Sequence, residues 1–555
     1  MPGASPGCAN SPLSGKGPPV LLDLRELPDD TAFEADVCVV GAGPAGIALT
    51  EALASAGLQV VLLESGGLQL DADTQALNDG EIAGLPHPGV QDGRGRAVGG
   101  SAKLWAGQCL TLDPIDFERR DWVPYSGWPA AARKLDPYYR RAEAFFQVDN
   151  EVYDEANYRK FGLAPPAWDS AALRTHFTVY TPEVDTGRFH LQRLRRDAGI
   201  RVVIHASVVR IETNAAVSRA ETVHARSLTG RRCTVRAGAF VLCAGGMENA
   251  RLLLLSNQQQ NTGLGNGRDL VGRFLQDHPN GLVATLQGGD LRDLQDRFRL
   301  LYRGRKRYFP KFALSPTVQR ARRVLNGNAH LVFGYPGQPA VAVMRELLDS
   351  ARRRRLPSNP LRQAGLLLAD TGNLAHILWR RYRHGRSPAG IPTDIKLQCY
   401  LEQAPNPDSR VMLSDQRDAL GLPRLRSVWC LAEIERETLR VLAHTVSDEF
   451  RRLGMGDMRL DPWLDDASDG WAARLSDAYH HAGTTRMAED PSQGVVDSDG
   501  QVFGIAGLYA CGGSVFPTSG YANPTLTIVA LALRLADHLR ATVKEASRPV
   551  VLGAT

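Results

Sequence analysis

The sequence predicts a Rossmann-like α/β fold joined to a second large domain, and three observations carry that prediction. The stretch "ADVCVVGAGPAGIALTEALASAGLQVVLLESGG" (35–67) reads as strand, glycine turn, helix and second strand in close succession. Two later apolar runs, at 239–243 and 508–511, also lead into glycine turns. Finally, 555 residues exceed what one hydrophobic core accommodates, so two large domains are expected.

Taken in order, "MPGASPGCANSPLSGKGPPVLLD" is rich in Pro, Gly and Ser and lacks the basic-then-apolar order of a secretory signal; residues 1–30 are therefore expected to form a disordered leader. The apolar run 37–40 suits a buried strand. Gly41-x-Gly43-x-x-Gly46 follows and opens a helix marked by Ile47, Leu49 and Leu53, with Gly57 as its C-cap. A second strand, 60–63, then delivers Glu64. Each part has a task in holding a dinucleotide. Gly41 permits the tight turn, Gly43 lets backbone approach a pyrophosphate, and Gly46 lets the helix pack on the sheet with its N-terminus toward the phosphates. Glu64 would accept from both ribose hydroxyls and repel a 2′-phosphate, which disfavours NADP. The motif alone leaves NAD and FAD open.

"GRGRAVGGSAKLWAG" (93–107) supplies five more glycines and a serine, a density that a core strand or helix would not tolerate. Backbone approaches something there, and with one GxGxxG in the chain an extended ligand such as FAD is the object; a mobile surface loop is the blander reading. The stretches 201–211 and 237–257 read as strands, the second passing through Ala244-Gly245-Gly246 into a helix around the same ligand. In 507–539 a short strand at 508–510 leads to a Gly-Gly turn, then to Asn523-Pro524 and an apolar helix. Pro524 suits the first helical position, so the free N–H groups of Thr525 and Leu526 and the positive helix end face whatever sits before Asn523.

Composition narrows the class. The chain is 43% hydrophobic but holds no apolar run of the ~18 residues that would span a bilayer. Eight scattered cysteines show neither a C-x-x-C pair nor a His-Cys cluster at metal spacing, so free thiols in a reducing cytoplasm and no metal site are expected. Net charge is +5, yet residues 318–386 alone carry thirteen arginines, no lysine and three acids. The positive balance is therefore local: either a solvated helical face or a footing for an anionic membrane or a partner surface. Aromatics are not interleaved there in a stacking pattern, which argues against nucleic acid.

"SDAYHHAGTTRM" (476–487) raises the question of chemistry, because two adjacent histidines precede a glycine and two threonines. Histidine is suited to accept a proton near neutral pH, but nothing local chooses between His480 and His481.

Together "GAGPAG" with Glu64, "VGGSAKLWAG", "SGWP", "EQAPNPDSRVMLS" (402–414), "HHAGTTRM" and "SGYANPTLTIVALALRLADHL" resemble the glucose-methanol-choline (GMC) oxidoreductase family, in the family's order and over about residues 35–540. The last motif is most similar to the branch of pyranose oxidase and bacterial sugar dehydrogenases. The resemblance implies a discontinuous FAD-binding domain (31–107, 196–284 and 471–545) and an α+β substrate domain with an antiparallel sheet (108–195 and 285–470). It implies that Glu64 holds the adenosine ribose, that Val208 lies near the adenine, and that Ala244 lies beside the cofactor. It sets Gly99, Ser101 and Trp105 along the flavin and Gly513, Pro524 and Thr525 at its far side. The catalytic pair falls on His480, the histidine of H-x-x-G-T, and on Asn523; His481 becomes a supporting residue, with Thr484, Thr485 and Arg486 buttressing the loop.

Two departures from the family pattern matter. Leu104 stands where members with covalently bound FAD have histidine, so the FAD is expected to be non-covalent. Cys511-Gly512-Gly513 replaces an aspartate found in many members, leaving a backbone contact in its place. The implied activity is oxidation of a CH–OH group, of a sugar or polyol ring by analogy, with oxygen, a quinone or a redox protein as electron acceptor and a dehydrogenase preferred. Two other readings stay open: a lyase of the hydroxynitrile type with redox-silent flavin, and a non-catalytic nucleotide-binding module.

Overall fold

Two eight-stranded sheets and one three-stranded sheet organise the described residues of the computed structural model, which are 20–335, 343, 346, 347, 350, 360–369, 371–465 and 470–546. The first sheet runs, from one edge, Val20–Asp23, Ile200–Ile204, Val60–Leu63, Thr31–Val40, Arg232–Leu242, Ala220–Arg226 and Ser207–Thr213, and Leu508–Ala510 also pairs with Arg232–Leu242. The pairings up to Arg232–Leu242 are parallel, and the last two are antiparallel. Val37, Val39, Leu62 and Val241 are fully buried, as a parallel sheet covered on both faces requires. Helix Pro44–Ser55 covers one face and packs against the final helix, Thr525–Ala546.

This register brings four chain turns to one edge. Gly41 follows Val40, Glu64 follows Leu63, Cys243 follows Leu242 and Cys511 follows Ala510, all at carboxyl ends of neighbouring parallel strands. Ligands of open α/β sheets bind at such an edge.

The second sheet is antiparallel throughout. Its order is Asp457–Leu460, Asn280–Gln287, Asp394–Leu401, Gly327–Gly334, Lys306–Leu314, Leu173–Tyr180 and Gln108–Cys109, with Leu301–Arg303 hairpinned onto Lys306–Leu314. Leu439, Leu442, Val446 and Phe450 of helix Glu433–Arg452 close its back in one cluster with Phe312, Ala329 and Leu397.

Several expectations are corrected. Residues 20–30 are not leader: Val20–Asp23 is the edge strand of the first sheet and Leu24 is fully buried, while residues 1–19 lie outside the described residues. The stretch 201–211 is two strands, broken at His205, whose φ of 52° turns the chain from a parallel to an antiparallel pairing. The domain boundaries shift as well. Hairpin Arg410–Arg417/Pro423–Val428, expected in the substrate domain, forms the three-stranded sheet with Gly80–Ile82 and is tied to the first domain by Arg251, which pairs with Asp418 at 2.7 Å. Helix Thr186–Arg196 likewise joins the first domain, where His190 meets Glu51 of helix Pro44–Ser55 at 2.9 Å. Conversely, Asn280–Gln287 belongs to the antiparallel sheet rather than to the first domain.

Seven described cysteines carry free thiols. Among the described residues no helix is long and apolar enough to cross a membrane. The arginine-rich stretch is described in part, with helices Pro360–Ala369 and Thr371–His384.

Candidate active site

A cavity of about 590 Å³ follows the carboxyl edge of the first sheet and ends against one face of the second. Its lining includes Gly41, Gly43, Glu64, Ser101, Trp105, Val208, Ala244, His480, Gly513, Asn523, Pro524 and Thr525. Gly46 and Gly99 are outside the lining. A Cβ on Gly46 would stand 1.9 Å from the Gly41 carbonyl oxygen, so this glycine serves close packing of helix on turn. Gly99, at φ 106°, packs against Gly187 and presents its neighbours Gly100 and Ser101 to the cavity.

At Gly43 and Gly512 a Cβ would point into open space, the nearest atom to the first being the Gly100 Cα at 4.0 Å. Backbone is bared there without any packing reason. Beyond it, Glu64 is 5% exposed and accepts from the N–H groups of Ala42 at 2.8 Å and Gly66 at 2.9 Å; burial pushes its carboxyl up against these amides. The carboxylate thus pins the glycine turn as well as facing the cavity. Asn249, which the sequence reading did not single out, joins two further turns: its Oδ1 accepts from Ala244, and its Nδ2 donates to Cys511 O and Ser514 Oγ. Trp105 donates to the Val184 carbonyl at 2.7 Å, while Leu104 is 47% exposed on the lining.

At the far end, Asn523 Nδ2 is 3.4 Å from His480 Nε2, although 43 residues separate them. On the other side of the ring, His480 Nδ1 lies 2.9 Å from His278 Nδ1, the two rings meeting edge to face. Asp277 accepts from the backbone N–H groups of His278, Ala478 and His480, so one buried carboxylate fixes the loop that carries His480. Burial lowers His480 to about 4 despite Asp277, and lowers His278 to about 3; both rings are neutral near pH 7. Contacts of the following residues brace the loop. Thr484 Oγ1 donates to Gly246 O, Thr485 N–H donates to Ser514 O, and Arg486 donates to Tyr125 O.

The antiparallel sheet supplies the opposite wall. Phe309 and Lys311 lie two residues apart on one strand and Asn328 and His330 on the next, so each pair points to the same face; Tyr400, paired with Asn328, completes the wall with Asn280. Lys311 is 7% exposed, and burial lowers its ammonium to about 8. Asn328 Oδ1 and His330 Nδ1 are buried without a hydrogen-bond partner among the described residues. Such a wall suits a ligand bearing several hydroxyls. These residues escaped the sequence reading because a polar residue on a strand reads as solvent-facing.

Residues 36–264 match the family model described as FAD dependent oxidoreductase, and residues 405–532 match that described as GMC oxidoreductase. The 2-methyl-1,2-propanediol dehydrogenase of Mycolicibacterium austroafricanum is 24% identical, over 92% of this chain and 96% of its own. The fructose dehydrogenase large subunit of Gluconobacter japonicus is 22% identical over 92% and 99%, and the 6'''-hydroxyparomomycin C oxidase of Streptomyces lividus 24% over 91% and 92%. Among solved structures, a formate oxidase from Aspergillus oryzae shares the fold with a TM-score of 0.56 at 16% identity, over 94% of this chain and 100% of that one.

Proposed function

We propose, from the premise that this chain belongs to the GMC oxidoreductase family, that it is an FAD-dependent enzyme oxidising a CH–OH group of a sugar or polyol to a carbonyl, with His480 as the base. The observation that carries this reading is the His480/Asn523 pair, which closes the same cavity that the bared glycine turns open.

The residues present fit FAD. Gly41, Gly43 and the N-terminus of Pro44–Ser55 would hold the pyrophosphate, Glu64 the ribose and Val208 the adenine; Gly100, Ser101, Trp105, Gly513, Pro524 and Thr525 would flank the flavin. Leu104 has no group that could bond the flavin, so attachment is non-covalent. Bound FAD supplies the acceptor for the hydride leaving the substrate carbon.

The chain does the rest. His480 accepts the hydroxyl proton at Nε2, which requires its own proton on Nδ1, and that proton is donated to His278 Nδ1. Asn523 hydrogen-bonds the same substrate oxygen and fixes its direction. Asp277 holds the loop backbone, and the wall of Lys311, Asn328, His330 and Tyr400 receives the remaining hydroxyls. Relatives named for a diol, for fructose and for an aminoglycoside support a polyhydroxylated substrate.

Electrons pass on to oxygen, a quinone or a redox protein. Within 318–386, Trp379 and Tyr382 are 56% and 82% exposed beside Arg381 and Arg383, which favours contact with an anionic membrane surface or an acidic partner and so a dehydrogenase. The free thiols suit a cytoplasmic setting.

The test is anaerobic bleaching of the flavin by sugars, glycosides, polyols and primary alcohols, followed by reoxidation with oxygen or quinones. His480→Ala should slow bleaching by about 10²–10⁴-fold, the range for a positioned base, with flavin content unchanged. An unchanged reductive half-reaction in that variant defeats the assignment, and a yellow protein that no alcohol bleaches favours the lyase reading. Sedimentation with anionic but not neutral vesicles tests the arginine-rich footing.

A further inference from the structure

The second histidine of the His480–His481 pair points into different chemistry. His87, Asp277, Asp477 and His481 each offer one ligand atom, and all four atoms lie within 4.8 Å of one another. Their side chains are 0–7% exposed. They come from three distant stretches of chain, which is why no ligand spacing was legible and no metal was expected.

One contact in the cluster, His87 Nε2 to Asp277 Oδ2, is a long hydrogen bond, and the other spacings exceed hydrogen-bond range and approach the edges of a coordination polyhedron. His87 Nε2 is 3.4 Å from Asp277 Oδ2 and 3.6 Å from Asp477 Oδ2, and His481 Nε2 is 3.7 Å from Asp277 Oδ2. A tetrahedral ion bonded at ~2.0–2.2 Å to nitrogen and oxygen has ligand edges of about 3.3–3.6 Å. These three edges stand within a few tenths of an ångström of that, and binding would draw in the other edges of a set that spans at most 4.8 Å. His481 Nε2 is buried, has no hydrogen-bond partner among the described residues, and is aimed into the cluster.

We propose that His87, Asp277, Asp477 and His481 bind one divalent transition-metal ion of the zinc class behind the active-site loop. The cluster sets two buried carboxylates, Asp277 and Asp477, beside two imidazole nitrogens, a donor set whose charge one divalent cation balances. The outer contacts are those that orient ligands. His87 Nδ1 meets Ser427 Oγ at 3.1 Å and its ring stacks on Trp429; Asp477 Oδ2 accepts from Gly89 N–H at 2.8 Å; Asp277 Oδ1 accepts from the amides of His278, Ala478 and His480, while Oδ2, which also meets the His480 amide at 3.2 Å, faces the cluster. Gly89 makes the room, since a Cβ there would stand 2.4 Å from both Asp477 Oδ2 and His481 Nε2. The ion ties residues 87–89 to the loop 477–481 through Asp277, which also holds the His480 amide. It takes no part in the redox step and rests on no assumption about the substrate.

The test uses the flavin-loaded full chain, stripped with a chelator, incubated separately with Zn2+, Co2+ or Mn2+ alone, desalted and assayed for bound metal by mass spectrometry. About one equivalent of Zn2+ per chain is expected to remain, as for a four-ligand protein site. Co2+ should give tetrahedral ligand-field bands in a difference spectrum against the Zn2+ form, which cancels the flavin. His87→Ala and Asp477→Asn should lose the ion, and Ser427→Ala should weaken it by about 10–100-fold. Should the ligand variants fail to fold, wild-type stoichiometry and the Co2+ spectrum still decide. Retention below about a tenth of an equivalent of every metal in wild type overturns the proposal. So does equal retention in folded ligand variants, and uptake of Mn2+ without Zn2+ overturns the zinc-class assignment.

Discussion

Nδ1 of His480 and Nδ1 of His278 stand 2.9 Å apart, so one proton serves both nitrogens and the tautomer of each ring is set by the other. If His480 must present a lone pair at Nε2, His278 is a positioning residue: it accepts the Nδ1 proton and keeps the base turned the right way. His278→Leu removes that acceptor, whereas His278→Asn retains one. The leucine variant should lose about tenfold or more in the rate of anaerobic flavin reduction with little change in KM, and the asparagine variant should recover much of it. Equal loss in both would mean that His278 only fills space.

Gly43 and Gly46 are separated by one helical turn but by very different surroundings. A methyl group on Gly43 enters the cavity, and on Gly46 it collides with the Gly41 carbonyl. Gly43→Val should therefore leave soluble protein with a near-normal Tm of the flavin-free form but reduced flavin content. Gly46→Ala should instead lower the yield of folded protein. Thermal melts of stripped and loaded samples separate the two.

Lys311 gives a pH dependence whose sign can be worked out. Burial lowers its amine from 10.5 to about 8, so between those values the unfolded chain holds the proton and the native chain does not. Stability with respect to this group rises with pH across that window and is at its lowest well below pH 8, where the buried ammonium is fully charged. Lys311→Met should thus raise Tm near pH 7, by the equivalent of about 1–3 kcal/mol, and the gain over wild type should shrink as pH climbs toward 10.5. The same variant should raise KM for a polyol while leaving the flavin content intact. A gain that is constant with pH would show that packing, not charge, is responsible.

Leu104 leads to the simplest check. Acid or heat denaturation followed by centrifugation should leave the yellow colour in the supernatant. Colour that stays with the pellet and survives gel electrophoresis would show a covalent link through another residue.

Much of the first domain was legible because its signals are local. Val37, Gly41, Gly46 and Glu64 fall within one supersecondary unit, and parallel strands buried on both faces announce themselves as unbroken apolar runs. The pair His480/Asn523 came from motif frames rather than from local pattern. Asp277 and His278 were not seen, because their partners in the loop are about 200 residues away and a lone Asp-His before a proline carries no periodic signal. Lys311, Asn328 and His330 were missed because alternation locates a face of a strand but not what that face meets. The hairpin 410–428 was assigned to the wrong domain for a related reason: Arg251 and Asp418 decide its place, and charge pairing over 167 residues leaves no trace in composition.

The wall opposite the glycine turns is built from neighbouring strands of a sheet that contributes nothing to the cofactor's expected cradle. Lys311, Asn328, His330 and Tyr400 are each one step in a ladder whose backbone bonds are indifferent to the side chain carried. That panel can be repainted, by laboratory evolution or by divergence, without retuning the oxidising half. A family of alcohols is thus reachable through a handful of exchangeable positions, while His480 and Asn523 stay as they are.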